Sequence, residues 1–160
     1  MELLTPWTEG PFTLKEALER YGEKLVGEAL ANGILKVVNT RLGAVLVPGA
    51  RGRVLMGKTR YYTPRPSTLE NALLVRRYME RLMGQGYRVL TYNRERGRAL
   101  LEGNGERVLV VGSLRGGSRP QLRDPVESGA DRILVLVPEG QGLRKRRKQV
   151  EVAEVRLGDH

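Results

Sequence analysis

The sequence contains no cysteine, and its only histidine is His160, the last of its 160 residues. Disulfides, thiolate nucleophiles and cysteine-ligated zinc are therefore excluded, and imidazole general-base chemistry has no candidate inside a fold. Only 5% of the residues are aromatic. No apolar run approaches the roughly 18 residues that a membrane span needs, and no apolar leader opens the chain. We therefore expect a cytoplasmic protein with no membrane contact.

Positive charge is the dominant feature that remains. The chain has 28 Lys and Arg against 18 Asp and Glu, a formal net charge of +10. The excess is spread along the chain, at +3 over residues 1–60, +4 over 61–105 and +3 over 106–160. Arginine supplies 22 of the 28 cations, and its planar fork suits phosphates and guanine edges. This composition predicts a polyanionic partner, most simply nucleic acid. A generally basic soluble protein is the alternative.

The first third of the chain combines helix signals with strand signals. Thr13 and Glu16 have the spacing of a capping box, which predicts a helix that ends at Gly22. The other segments of this region are predicted from shorter signals: an irregular arm or a short turn over 1–11, a helix over 23–32, strands over 34–38 and 44–47, and short strands or extended chain over 53–56 and 59–63.

This order of elements resembles a known class of domain. The stretch Thr13–Val47, with Ala29–Leu35 at the junction of helix and hairpin, resembles winged-helix DNA-binding domains. The resemblance implies that the helix over 23–32 would lie in a major groove, with the hairpin beside the backbone. That helix carries Glu23 and Glu28 as well as Lys24, so phosphate contacts are expected mainly from the wing side. A role in protein contacts stays open for this unit.

The second part of the chain opens with the clearest helix in the sequence. Apolar residues recur at three- and four-residue steps over 67–84, and Ser67 with Glu70 has the spacing of a capping box. Several strands and a short helix are predicted after it: strands over 87–92, 98–102, 107–112 and 132–137, a helix over 124–129, and a final strand over 150–157 that we expect at a sheet edge. The two apolar runs at 107–112 and 132–137 are typical of buried parallel strands.

The αβββαβ order resembles the minimal core of restriction-endonuclease-like folds. A winged helix before such a core resembles the architecture of plasmid replication-relaxation proteins. We therefore predict an α+β or α/β fold, with a winged helix-turn-helix domain over 1–63 and a nuclease-like domain over 64–160. Active members of the superfamily need an aspartate near the second strand and Asp/Glu-x-Lys on the third. Neither corresponding segment here contains lysine.

This departure predicts a binding scaffold without catalytic residues, metal or cofactor. The sequence is thus interpreted as a DNA-binding protein of plasmid or phage replication, or of transcription control. Two alternatives stay open: a metal-dependent nuclease that uses Glu80, Glu102 and Glu106, and an RNA-binding protein. A twofold dimer is a reasonable arrangement for a winged-helix protein.

The predicted contacts with double-stranded DNA lie on the wing side and in the densest cation cluster of the chain, which follows residue 143. Five cations in succession repel one another unless a polyanion neutralises them. The candidate nucleic-acid-binding residues are Lys24, Arg41, Arg51, Arg53, Lys58, Arg60, Arg144, Lys145, Arg146, Arg147 and Lys148.

Overall fold

A computed structural model describes residues 2–59, 62–113, 129–138 and 150–155. The protein is a mixed α+β structure with small sheets and several helices. It divides into two compact units, an N-terminal unit over Met1–Leu69 and a C-terminal unit over Glu70–Asp159. None of the described helices combines the length and the apolarity that a membrane crossing requires.

The described part of the N-terminal unit contains a 3-10 turn and four short helices. After a 3-10 turn at Glu2–Leu4 they are α1 (Thr5–Thr8), α2 (Leu14–Tyr21), α3 (Glu23–Ala31) and α4 (Ala50–Leu55).

The predicted capping box at the start of α2 is confirmed. The Glu16 amide donates to Thr13 Oγ1 at 3.1 Å, and the Thr13 amide donates to Glu16 Oε1 at 3.0 Å. Two amides at the helix start, which have no acceptor within the helix, are thereby hydrogen-bonded. At the other end α2 stops at Gly22, as predicted. The segment 1–11, predicted as an irregular arm or a short turn, contains the one-turn helix α1, where the fixed φ of Pro6 favours a helix.

A β-hairpin follows α3. Strands β1 (Leu35–Thr40) and β2 (Gly43–Pro48) pair antiparallel and are slightly longer than predicted. An isolated bridge joins Thr13 to Val45, and the Leu46 amide donates to the Phe12 carbonyl at 3.0 Å. The segment before α2 thus lies along β2 as a third, very short strand. The core of the unit contains Phe12, Val26, Ala29, Ile34, Leu35 and Leu46, with Trp7 packed against it.

The predicted strand over 53–56 is wrong, because this segment belongs to α4 and the turn after it. The helix is set by tertiary contacts. The Gly49 amide donates to the Ile34 carbonyl at 2.9 Å, and a Cβ at Gly52 would lie 2.0 Å from the same oxygen. Only glycine allows this close approach, and the approach fixes how α4 begins. A local pattern of Val, Leu and Met could not indicate it.

The long helix α5 spans Pro66–Gly84. It begins at Pro66, whose ring presets the φ of a first helical residue, so Ser67 is the second residue of the helix. The predicted N-cap role of Ser67 is therefore wrong. Leu69, Leu73 and Val75 are buried as the periodicity predicted, whereas Met83 is exposed. Glu70 and Arg76 are also buried, and Arg76 forms an ion pair with Glu80 at 2.9 Å.

The C-terminal unit contains a five-stranded sheet in sequential order. Its strands are β3 (Arg88–Asn93), β4 (Arg98–Gly103), β5 (Glu106–Gly112), β6 (Arg132–Pro138) and β7 (Val150–Val155).

The sheet changes from antiparallel to parallel pairing at β5. Strands β3, β4 and β5 form an antiparallel meander, and β6 and β7 continue in parallel. The predicted parallel pairing of the two apolar runs is confirmed, and β7 lies at an edge as predicted. Val108, Val110 and Val111 on β5 and Ile133–Val137 on β6 are all buried. The predicted helix over 124–129 lies almost entirely outside the described residues.

Candidate nucleic-acid interface

Acidic and basic residues are sorted along the N-terminal unit. Residues 2–28 contain six glutamates and three cations. Residues 29–69 contain no Asp or Glu and seven cations, Lys36, Arg41, Arg51, Arg53, Lys58, Arg60 and Arg65. We call residues 29–69 the acid-free segment. It comprises the hairpin, α4 and the start of α5, and it can present cations to an anion with no carboxylate of its own to compete.

Helix α4 holds one of these cations beside the end of α3. The Arg51 amide donates to the Gly33 carbonyl at 3.2 Å, and Arg51 Cβ lies 4.0 Å from the position of a Cβ on Gly33. The Arg51 side chain is exposed. The packing of α4 therefore places the backbone and Cβ of Arg51 beside Gly33, between α3 and the hairpin.

Arg53 has a partly structural role. Its Nε donates to the Thr59 carbonyl, and its guanidinium carbon lies 4.9 Å from the centroid of the Tyr62 ring. The side chain is half-buried. It closes the turn after α4 and leaves the Tyr62 ring half exposed, so it is both a predicted site residue and a support for the loop.

Lys58 is exposed directly after α4, and its backbone amide donates to the Arg53 carbonyl at 2.8 Å. Two further cations of the acid-free segment were missed by sequence reasoning. Lys36 on β1 donates to Thr63 Oγ1, and Arg65 is exposed before α5. The absence of carboxylates between Glu28 and Glu70 is the signal that could have found them.

The hairpin exposes one strand more than the other. Arg41 is exposed in the turn, whereas its neighbour Leu42 is buried. On β2, Val45, Leu46 and Val47 are all buried, so both faces of that strand are covered. A ligand can therefore reach the hairpin at Arg41 and along β1, where side chains are exposed.

Helix α3 presents a mixed surface. Lys24 is exposed as predicted, but so are Glu23 and Glu28 on the same helix. These carboxylates would repel phosphates near the only cation of the helix. Helix α3 is therefore mixed in charge, whereas α4 carries two arginines and no carboxylate. The other predicted residues, Arg60 and Arg144–Lys148, lie outside the described residues.

The carboxylates considered for a metal site are engaged elsewhere. Glu80 pairs with Arg76 at 2.9 Å and Glu102 with Arg88 at 2.9 Å. Glu106 accepts from Arg132 at 2.8 Å and from the Tyr87 hydroxyl at 3.0 Å. Within the described ranges, no group of three or more His, Cys, Asp or Glu residues could hold a metal ion. The structure does not bring these three carboxylates together as one ligand set.

Comparison of the sequence with protein-family models finds no match, and comparisons with curated proteins and with solved structures find no significant match. The chemistry of the acid-free segment therefore has to be interpreted from its own residues.

Proposed function

We propose that the protein binds double-stranded DNA through the acid-free segment of a winged-helix N-terminal unit, and that its C-terminal unit is a nuclease-like scaffold without catalytic residues. Plasmid or phage replication and transcription control are the processes that such a protein would serve. The observation that carries the proposal is the segregation of charge: seven cations and no carboxylate over residues 29–69. Duplex DNA presents phosphates at a density that such a surface can engage at several points.

The short third strand supports the winged-helix interpretation. A winged helix needs a segment between its first two helices that pairs with the wing, and Phe12 and Thr13 pair with β2 between α1 and α2. Helices α2 and α3 then adjoin at Gly22, and the hairpin follows. The order and pairing of these elements agree with that architecture, although α1 is only four residues long.

The distribution of charge favours one contact side in this proposal. Phosphates would meet Arg41 in the hairpin turn and Arg51 and Lys58 around α4, because all three are exposed and lie in the acid-free segment. Helix α3 would approach the bases through Lys24 at most, since its glutamates oppose close docking on the backbone.

The topology of the C-terminal unit supports the scaffold interpretation. Helix α5, an antiparallel meander and a parallel strand follow in the order expected of a nuclease-like core. Its second and third strands carry no lysine, and Glu102 and Glu106 form ion pairs with arginines. Ion-paired carboxylates without a nearby lysine fit a role in positioning bound DNA better than a role in its hydrolysis.

The proposal is tested by salt-dependent binding to a fluorescent DNA duplex. The variant Arg41→Gln, Arg51→Gln and Lys58→Gln removes three exposed cations of the acid-free segment. A matched control, Lys15→Gln, Arg81→Gln and Arg96→Gln, removes three exposed cations from elsewhere. We expect the first variant to bind about 10- to 100-fold more weakly, with a slope of log K against log salt reduced by up to about 2.7. The control should change affinity about threefold or less.

Equal reductions of affinity in both variants would contradict an interface on the acid-free segment, because only the net charge would then matter. Competition with single-stranded DNA and with structured RNA identifies the preferred polymer. Tighter binding to RNA than to duplex DNA would show that RNA is the ligand of the same surface.

A further inference from the structure

Helix α4 exposes two adjacent aliphatic side chains. Val54 is 51% exposed and Leu55 50% exposed, although both sit within a helix. The helix packs inward through buried Gly52 and through Met56 just beyond its end. Val54 and Leu55 are therefore not needed by the core. Two half-exposed aliphatic side chains next to each other in sequence provide a small apolar surface that a partner can cover.

The surroundings of this pair are cationic. Arg51, Arg53 and Lys58 lie within four residues of Val54 or Leu55, and the acid-free segment contributes no carboxylate. The half-exposed Tyr62 ring lies under the Arg53 guanidinium. A partner for this surface must combine dense negative charge with an apolar interior.

The pair is held in a fixed place. Beyond α4 the amides of Met56, Gly57 and Lys58 donate to the carbonyls of Gly52, Val54 and Arg53 at 3.0, 3.0 and 2.8 Å. Arg53 ties the same turn to Thr59 and Tyr62. The aliphatic pair therefore approaches a ligand without first having to be ordered, which lowers the entropic cost of binding.

We propose that Val54 and Leu55 form a wedge, the α4 wedge, that inserts between base pairs from the minor groove and bends the bound duplex. The inference rests on the proposed DNA-binding function and adds a mode of recognition to it. Stacked bases provide the apolar interior and the flanking phosphates provide the charge. Aliphatic wedges of this kind unstack a base step and kink the duplex, at a cost that falls for steps that are already weak.

A second copy of the chain fits the surface less well. A twofold interface places the same patch on both sides, so Arg51, Arg53 and Lys58 of one copy would face the same cations of the other. No carboxylate of the acid-free segment could compensate this repulsion. Charge complementarity therefore favours the polyanion.

The test measures bending and affinity together. A duplex of about 30 base pairs carries a donor and an acceptor dye at its ends, and a second duplex contains one central mismatch. The variant Val54→Ser and Leu55→Ser removes the wedge. A matched control, Leu18→Ser and Met83→Ser, removes two exposed apolar side chains from α2 and α5.

We expect the unaltered protein and the control to raise energy transfer between the duplex ends and to bind the mismatched duplex about tenfold more tightly than the matched one. The wedge variant should lose the increase in transfer and the preference for the mismatch. Its salt slope should stay unchanged, because its cations are intact. Leu55→Ala, which keeps a strong helix former, serves as the second variant if circular dichroism shows that the double variant is unfolded.

Binding without bending, or bending by the wedge variant equal to that of the unaltered protein, would overturn the wedge and leave the proposed function standing. If no duplex binds, the wedge and the proposed function fail together. A dimer in sedimentation velocity that the wedge variant converts to a monomer would assign the patch to a second copy and also overturn the inference.

Discussion

Residues 2–28 and the acid-free segment share one hydrophobic core and differ in charge. Val26 and Ala29 on α3 pack with Ile34, Leu35 and Leu46 of the hairpin, so the two regions fold as one body. Their sequences nevertheless carry net charges of −3 and +7. Buried positions decide how the unit folds, whereas exposed positions decide what approaches it. The difference shows that one shared core can support two segments of opposite charge, and the proposed DNA contact depends on the positive one.

The largest effect on binding is expected from cations outside both regions. Replacing the five cations of Arg144–Lys148 by glutamine should reduce the salt slope for duplex DNA by up to about 4.5, since each phosphate that a cation neutralises adds about 0.9 to the slope. A control that removes five exposed cations, Lys15, Arg81, Arg88, Arg96 and Arg107, should change it far less. An unchanged slope in the first variant would remove that cluster from the interface and leave the acid-free segment as the contact surface.

The next effect, on stability, concerns the close packing of α4 against Ile34, which positions the backbone of Arg51. Gly52→Ala should lower the free energy of unfolding by about 3 kcal/mol, because the new Cβ would meet the Ile34 carbonyl oxygen. Gly27→Ala in α3 is the control, since nothing lies within 4 Å of its Cβ position. It should stabilise the protein by about 0.5–1 kcal/mol. Urea denaturation measures the free energy of unfolding of both variants. Equal changes in the two would show that position 52 tolerates a Cβ.

A smaller effect is expected at the start of α2. Thr13→Ala removes the side-chain acceptor of the Glu16 amide and should destabilise the protein by about 1–2 kcal/mol. Thr8→Ala, at an exposed position in α1, should change the midpoint only slightly. Both measurements use the same denaturation curves. If Thr8→Ala proved as costly as Thr13→Ala, the capping box would not be what stabilises this region.

Alkaline pH provides a further comparison. Burial, together with the hydrogen bond that its hydroxyl donates to Glu9, raises the pKa of Tyr21 above its ordinary value. The contribution of this phenol to stability is therefore fully present below the unfolded value near 10 and is lost as the pH rises above it. Tyr21→Phe should flatten the fall of the melting temperature above pH 10 and leave duplex affinity within about twofold. If the melting temperature of Tyr21→Phe fell above pH 10 as steeply as that of the unaltered protein, Tyr21 would not be the group responsible.

The smallest effect is expected at Lys24. Its neighbours on α3 include exposed Glu23 and Glu28, so Lys24→Gln should weaken duplex binding about threefold or less. Arg51→Gln, which removes a cation from the acid-free segment, should weaken it more. Fluorescence anisotropy at one fixed salt concentration compares the two. A greater reduction of affinity at Lys24 would make α3 the main contact and erase the functional difference between the two regions.

The N-terminal helices and the hairpin could be predicted because their signals are local. Thr13 and Glu16 define one helix start, and Gly22 ends the same helix. Helix α4 could not, because it depends on contacts of Gly49 and Gly52 with Gly33 and Ile34, which are distant in sequence. Likewise Pro66, whose ring fixes its φ, begins α5 one residue before Ser67.

The exposure of the candidate cations could be predicted for a different reason. Exposed Arg41, Arg51 and Lys58 follow from charge alone, because cations with no nearby carboxylate in sequence stay at the surface. Summing charge over residues 1–60 gave a modest +3 and hid the acid-free segment, since that window includes the six glutamates before residue 29. Val54 and Leu55 are aliphatic residues in a segment predicted as short strand or extended chain. Only the orientation of α4 shows that they are exposed.

The bond from the Leu46 amide to the Phe12 carbonyl links the hairpin to the residue that precedes the cap of α2. Local unfolding of the hairpin would break this bond and the Thr13–Val45 bridge. The first turn of α2 would lose its support at the same time. Amide protons of Leu46 and Glu16 should then exchange with solvent through one shared opening. A polymer bound to the hairpin would therefore also slow amide exchange at the start of α2.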